Sequence, residues 1–342
     1  MRKLASVQKV QEIKDIENAD AIQAYRVLGW WVVGKKNEFR VGDLVLYFEI
    51  DSFIPHELAP FLSKGRDPRE YNGVQGERLR TVRLRGQISQ GLIIALHDAD
   101  LRNYMMKTNA PSLFDLAEEG MDLTQELNIQ KWEPPVATNL AGQVRGHFPT
   151  HILPRTDQER IQNIFQEIQD KGDVTYEVSL KLDGTSCSIF RYEDELRVCS
   201  RNLELKVNQE NSKNTLVKIA LAVGENIPDG YAVQGEVMGP SIQNNREGFK
   251  QHEFFVFDLY DIAKQEYVTP AKRRLLCDEW GLQHVPIIDA IGTAPENVDA
   301  GLEFAEGPSI NHKIREGLVY KCNSDPNFSF KIISNQFLLK EK

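Results

Sequence analysis

The chain is 342 residues long and carries 41 lysines and arginines against 50 aspartates and glutamates, a formal charge of −9. With 41% hydrophobic and 27% charged residues it has a globular composition, which excludes a disordered chain or a fibre, and its length suggests about two domains. No apolar run approaches the ~18 residues of a membrane span and residues 1–3 open no signal-like stretch, so a cytoplasmic (or nuclear) protein that stays out of membranes is expected. Cys187, Cys199, Cys277 and Cys322 show no CxxC pairing and read as reduced, half-buried thiols. The acidic balance argues against a protein that coats phosphate in bulk, yet it leaves room for a locally basic groove.

The N-terminal third reads as short strands. Residues 24–33 are β-branched and aromatic, with a turn at 34–37; 44–50, 79–84 and 92–96 follow, a pattern that suits a small closed or nearly closed barrel. Trp30 and Trp31 are adjacent, so they point to opposite faces and at most one is free to stack on a base. Residues 115–127 read as a helical insert interrupted by Gly120. Lys131-Trp132-Glu133-Pro134-Pro135 and the Gly- and Pro-rich stretch to Pro154 mark a linker, because paired prolines continue neither kind of regular structure. This places domains at 1–133 and 155–342, joined by 134–154.

Next comes an expected helix, with Thr156 as N-cap, Glu159 completing a capping box, and Ile161, Ile164, Phe165 and Ile168 forming one apolar stripe. From Val174 the period switches to two. Val174, Tyr176, Val178, Leu180 and Leu182 share one strand face, while Thr175, Glu177, Ser179, Lys181 and Asp183 share the other. Further helices are predicted at 270–280 and 295–305.

Lys181-Leu182-Asp183-Gly184 admits two readings. It can be a solvated sheet face that ends in a hairpin, or a nucleophilic amine on a rigid strand with a carboxylate held beside it. Five further elements bear on the choice: Cys199-Ser200-Arg201-Asn202; Gln234-Gly235-Glu236; the aromatic strand Phe254-Phe255-Val256-Phe257-Asp258; Arg315-Glu316-Gly317-Leu318-Val319-Tyr320-Lys321; and Phe330-Lys331-Ile332-Ile333. In this order they resemble the covalent nucleotidyltransferase superfamily of polynucleotide ligases and mRNA-capping enzymes. Within it the chain is most similar to ATP-dependent RNA ligases that carry an N-terminal OB-fold domain. The nucleotidyltransferase part of the resemblance spans about residues 145–342, and Phe148-Pro149, Thr156-Asp157, Arg160 and Gln162-Asn163 look like the segment that precedes the nucleophile.

The resemblance implies an α+β chain, with an N-terminal OB-fold β-barrel followed by an ATP-grasp-like, DNA-ligase-type nucleotidyltransferase domain of antiparallel sheets flanked by helices. Too few residues follow Lys331 for another domain, so the accessory domain is expected at the N-terminus. It further implies that Lys181 attacks the α-phosphorus of ATP to form lysyl-AMP. Asp183 and Glu316, with Glu236, would position Mg²⁺ or Mn²⁺; Arg201 and Glu236 would contact the ribose; Phe257 would stack on adenine; and Lys331 would contact the α-phosphate, with Arg160 among the nucleotide-binding residues. A free lysine, with pKa about 10.4, is protonated at neutral pH, so the site must favour the neutral amine, and carboxylates oppose that unless a metal offsets them. One position departs from the family pattern: Ile333 stands where a second lysine is common. Arg155, Arg160 and Lys321 are candidates for the missing cation.

Arg78, Arg80, Arg83 and Arg85 form the densest basic cluster in the chain. Arg83 and Arg85 share a face if the segment stays extended, and they suit a phosphate backbone, with Gln87 and Gln90 as polar partners; a solvated arginine-rich strand reads the same way. The implied partners are RNA and a nicked RNA/DNA duplex, bound by a monomer. A non-catalytic binder of nucleic-acid ends and a GTP-using capping-type transferase remain alternatives.

Overall fold

The computed structural model describes residues 3–107, 117–132 and 143–340. The chain divides into two compact units, 1–135 and 136–342. In the first, a five-stranded antiparallel sheet runs in the order Leu92–Ala95, Leu44–Phe48, Ala5–Asp15, Ile22–Val27, Trp30–Lys35. A bulge between Val10 and Glu12 bends the long first strand. The Gln90 amide donates to Trp31 O (2.8 Å) and the Val33 amide to Ser89 Oγ (2.9 Å), which draws the two edges toward closure. Leu46, Phe48, Val7 and Ile54 fill the interior.

Several expectations need correction here. The stretch 24–33 is not one strand but a hairpin, turning at Leu28, whose φ is +54°. Trp30 is buried, while half-buried Trp31 lies beneath the Arg26 guanidinium at 5.3 Å and the Lys14 ammonium at 6.0 Å. The stretch 79–84 breaks after Val74–Arg78 and resumes only at Val82–Leu84. Of the helical insert, residues 115 and 116 lie outside the described residues, and 117–127 form turns. There Gly120 (φ +86°) lets the chain lie along the first strand, with the Val7 amide donating to Met121 O and the Leu123 amide to Ala5 O.

The second unit holds two sheets. One has seven strands, in the order Val144–His147, Leu203–Leu205, Glu195–Cys199, Thr185–Tyr192, Tyr231–Met238, Glu253–Asp261, Glu266–Tyr267. Residues 144–147 therefore add an edge strand where a linker was expected, tolerating Gly146 beside a register shift; residues 134–142 of that linker lie outside the described residues. The other sheet has the order Glu159–Arg160, Ser329–Ile333, Gly317–Cys322, Tyr176–Lys181, Ile287–Gly292. Glu159 and Arg160 pair in parallel with Phe330 and Lys331, which keeps the chain extended and removes the capping box. The helix Ile161–Asp170 starts after Arg160, with no side-chain cap.

Helices Pro270–Glu279 and Val298–Phe304 lie within the predicted spans, the second delayed until Asn297, whose side chain accepts from the Ala300 amide at 2.8 Å. The apolar helix Thr215–Val223, capped by Asn214, lays Leu216, Ile219, Ala220 and Val223 against the core and was not among the predicted helices. All four cysteines are free and fully buried rather than half-buried.

The Tyr176–Lys181 strand alternates as expected, but its polar face is not solvated. Tyr176, Val178 and Leu180 pack with Tyr320, Phe330 and Ile332, while Glu177 and Ser179 on the opposite face are also buried. Glu177 accepts from Arg273 and Arg274, Arg273 also donates to Asp258 (3.4 Å), and Lys321 pairs with Asp258. Burial, with Arg273 beside it, pushes His284 down to about 3; the neutral ring therefore accepts from Arg273 Nε at 2.9 Å. Removing one member of such a network strands buried charge. Glu177→Ala is expected to lower the unfolding free energy of the full chain by about 3–5 kcal/mol in urea titration; a loss under ~1 kcal/mol contradicts this.

Candidate active site

Strand register sets two rows of side chains across the smaller sheet of the second unit. Arg160, Lys331, Val319 and Ser179 stand in one row, and Ile333, Gly317 and Lys181 in the next. Paired residues project to the same face, so Lys181, Lys331 and Arg160 share it. A Cβ on Gly317 would stand 2.1 Å from Ile332 O, so the strands close tightly there and leave the middle of Lys181's row without a side chain.

Lys181 Nζ lies 2.7 Å from Glu316 Oε1, with the lysine side chain 26% exposed. Glu236 and Asp183 also act on the ammonium electrostatically. Glu236 comes from the neighbouring Tyr231–Met238 strand, and its Oε1 accepts from the Gly184 amide at 3.0 Å. Gly184 is needed at this approach: a Cβ there would meet Val237 O at 2.4 Å and Glu236 Cγ at 2.9 Å. Asp183 Oδ2 faces Arg246 Nη1 at 3.4 Å.

These groups perturb one another. Burial disfavours the charge on Lys181, but Glu316, Glu236 and Asp183 outweigh it and hold its pKa above the ordinary lysine value. Burial pushes Glu236 up to about 8, reinforced by Glu316 and opposed by Lys181. Burial and Glu316 push Asp183 up to about 6 against Lys181 and Arg246. Three carboxylates around one amine make a pocket with too much negative charge for its burial. Oxygen donors of this kind suit Mg²⁺ or Mn²⁺. Among the described residues no three His, Cys, Asp or Glu side chains form a metal-holding group, so Asp183, Glu236 and Glu316 do not make a closed cage. A metal here would be held by one or two of these carboxylates, which would leave the rest of its shell to water or substrate oxygens.

Most of the other sequence candidates have partners of their own. Arg201, half exposed, pairs with Asp157 at 2.6 Å. Phe257 packs at the edge of the core, with the Lys321 ammonium 5.7 Å over its ring. Lys321 is buried, and burial pushes it down to about 8 against the pull of Asp258; Asp258 thus belongs to the buried network. Arg155 sits over Phe148 at 6.0 Å. In the first unit, Arg78 is held by Asp51 at 2.6 Å. Arg80, Arg83 and Arg85 are exposed, but Arg85 sits in the turn of a hairpin (φ +49°), so Arg83 and Arg85 do not share an extended face. Arg246 and Arg273 had no periodicity or motif to announce them.

A family model described as RNA ligase matches residues 174–333, and an OB-fold domain model matches residues 4–96. Comparison with curated proteins finds no match. Among solved structures, an apo variant of Naegleria gruberi RNA ligase is 40% identical, with a TM-score of 0.83, covering 98% of this chain and 97% of that one. A variant of the same ligase with AMP and Mn is 40% identical with a TM-score of 0.84, and another with ATP and Mn is 40% identical with a TM-score of 0.83; each match covers 98% of both chains. The chain belongs to the RNA ligase family. It is an α+β enzyme of that family with an N-terminal OB-fold domain, and among its described residues no helix is long and apolar enough to cross a membrane.

The electrostatics of Lys181 can be checked without substrate. Glu316→Gln removes its nearest anion, so the Lys181 pKa should fall, read by ¹⁵N NMR of the side-chain amine. An unchanged titration would show that Glu316 does not hold the proton there.

Proposed function

We propose that this RNA ligase uses ATP to adenylylate Lys181 and then seals a 3′-OH RNA end to a 5′-phosphate end, with a nicked duplex as substrate. The observation that carries the reading is the convergence of Glu316, Asp183 and Glu236 on the Lys181 amine, in a chain 40% identical to a ligase solved with ATP and Mn.

In the first step the neutral Lys181 amine forms a bond to the α-phosphorus of ATP and pyrophosphate leaves. The AMP then passes to the 5′-phosphate of the nucleic acid, freeing the amine. The 3′-hydroxyl finally attacks that phosphate and expels AMP, closing the phosphodiester.

As Lys181 stands, its carboxylates keep it protonated, and an ammonium is no nucleophile. Magnesium or manganese, when bound, supplies a dication that offsets these carboxylates and the charge on the phosphate. Asp183 and Glu316 are the residues proposed to hold it, with Glu236 on its waters or the ribose. Lys331 and Arg160, in the row beside Lys181's, offer fixed positive charge to the α-phosphate. Phe257 is proposed to stack on adenine and Arg201 to exchange Asp157 for ribose. In the OB-fold domain, Arg80, Arg83 and Arg85 are proposed to contact phosphate backbone; Arg78, committed to Asp51, is a weaker candidate. A monomer suffices for this chemistry.

Incubation with ATP and magnesium should give an acid-labile AMP adduct, which Lys181→Ala abolishes; labelling that survives this substitution, or forms equally from GTP, contradicts the reading. In a panel of nicked duplexes, ribose at the 3′-OH strand should be required and DNA at the 5′-phosphate strand tolerated. Equal sealing of an all-DNA nick would contradict an RNA 3′-end preference.

A further inference from the structure

Lys181's row has a gap in its chemistry. Ile333 and Gly317 bring no charge to it, and Ile333 is buried. Neighbouring strands lie about 4.8 Å apart, so Ile333 stands roughly 10 Å from Lys181, with the glycine between them. An α-phosphate seated beside the amine meets no cation from Ile333's position.

Arg246 reaches this end of the sheet from another part of the chain. Its guanidinium lies 3.4 Å from Asp183 Oδ2 and stacks 4.6 Å over the ring of Phe337. Asp183 is two residues beyond Lys181, and Phe337 is four beyond Ile333, in the helix Asn335–Lys340. The arginine is thus braced between the segments that follow Lys181 and Ile333. Its side chain is only 25% exposed, which is low for a cation whose one carboxylate contact among the described residues is at 3.4 Å.

The backbone before it is held in a shape that L-residues rarely adopt. Ser241, Gln243, Asn244 and Asn245 have φ of +65°, +43°, +57° and +46°. Asn245 clamps the following turn, donating to Phe249 O at 2.8 Å and accepting from the Phe249 amide at 3.1 Å, and Glu247 accepts from the Asn311 amide at 2.6 Å. A run of left-handed residues held by its own hydrogen bonds is a costly way to place one side chain, and such conformations gather at functional sites.

We propose that Arg246 supplies the α-phosphate contact that Ile333 cannot, releasing Asp183 when a nucleotide phosphate enters. The planar guanidinium offers two parallel donors to phosphate oxygens. In the resting state its contact with Asp183 keeps it in place. The inference rests on the reading of Lys181 as the adenylylated residue, and a missing AMP adduct in the unaltered enzyme would sink that reading first.

The test measures binding rather than turnover. In a Lys181→Ala background, which forms no adduct, AMP and adenosine are titrated calorimetrically in magnesium. Arg246→Gln should weaken AMP about tenfold and adenosine by less than about twofold, the range of a lost hydrogen bond to a charged group. Arg246→Lys, which keeps the charge, should lose less AMP affinity. Unchanged AMP affinity, an equal loss for adenosine, or a lysine variant as impaired as the glutamine one would each overturn the assignment, even with adduct formation intact in the unaltered enzyme.

Discussion

Lys181 is charged because Glu316, Asp183 and Glu236 surround it, and those carboxylates are tolerated in a half-buried pocket because the lysine is among them. Charge balance of this kind is stable but unreactive. In the proposed reaction the amine gains its lone pair only when another positive charge takes over the carboxylates, which ties that chemistry to the entry of a cation. Burial disfavours charge on Glu236 and Asp183 as well, and with Glu316 beside them it raises the two to about 8 and about 6.

The architecture fixes this arrangement from below. Glu177, two residues before Ser179 on the strand that carries Lys181, is clamped by Arg273 and Arg274, and Arg273 reaches on to Asp258 and so to Lys321. This ties the Tyr176–Lys181 and Gly317–Cys322 strands to the helix Pro270–Glu279 and to the Glu253–Asp261 strand. Two sheets therefore meet across ionic contacts as well as apolar ones. Such a network contributes little net stability compared with a hydrophobic equivalent, but it fails badly when broken. Close backbone approaches at Gly184 and Gly317 complete the mould.

Much of this was legible in the amino-acid order. Alternation from Val174 gave the strand and its two faces, and Lys181-Leu182-Asp183-Gly184 with Glu236 and Glu316 named side chains that the fold brings together. What escaped was decided by partners distant in sequence. Glu177 looked solvated because nothing local shows that Arg273, almost a hundred residues later, covers it. The capping box at Thr156 lost to pairing of Glu159 and Arg160 with the C-terminal strand. Arg85 left its expected strand face because Arg85-Gly86 forms a turn with positive φ at both residues. Arg246 sits in a loop, where no periodicity exists to be read.

The proposed dependence of Lys181 on an incoming cation is open to direct measurement. Its side-chain amine can be titrated by ¹⁵N NMR with and without saturating magnesium. A dication held by Asp183 and Glu316 should move the Lys181 pKa downward toward neutrality. A pKa that stays put, or rises, when magnesium is added would contradict the account.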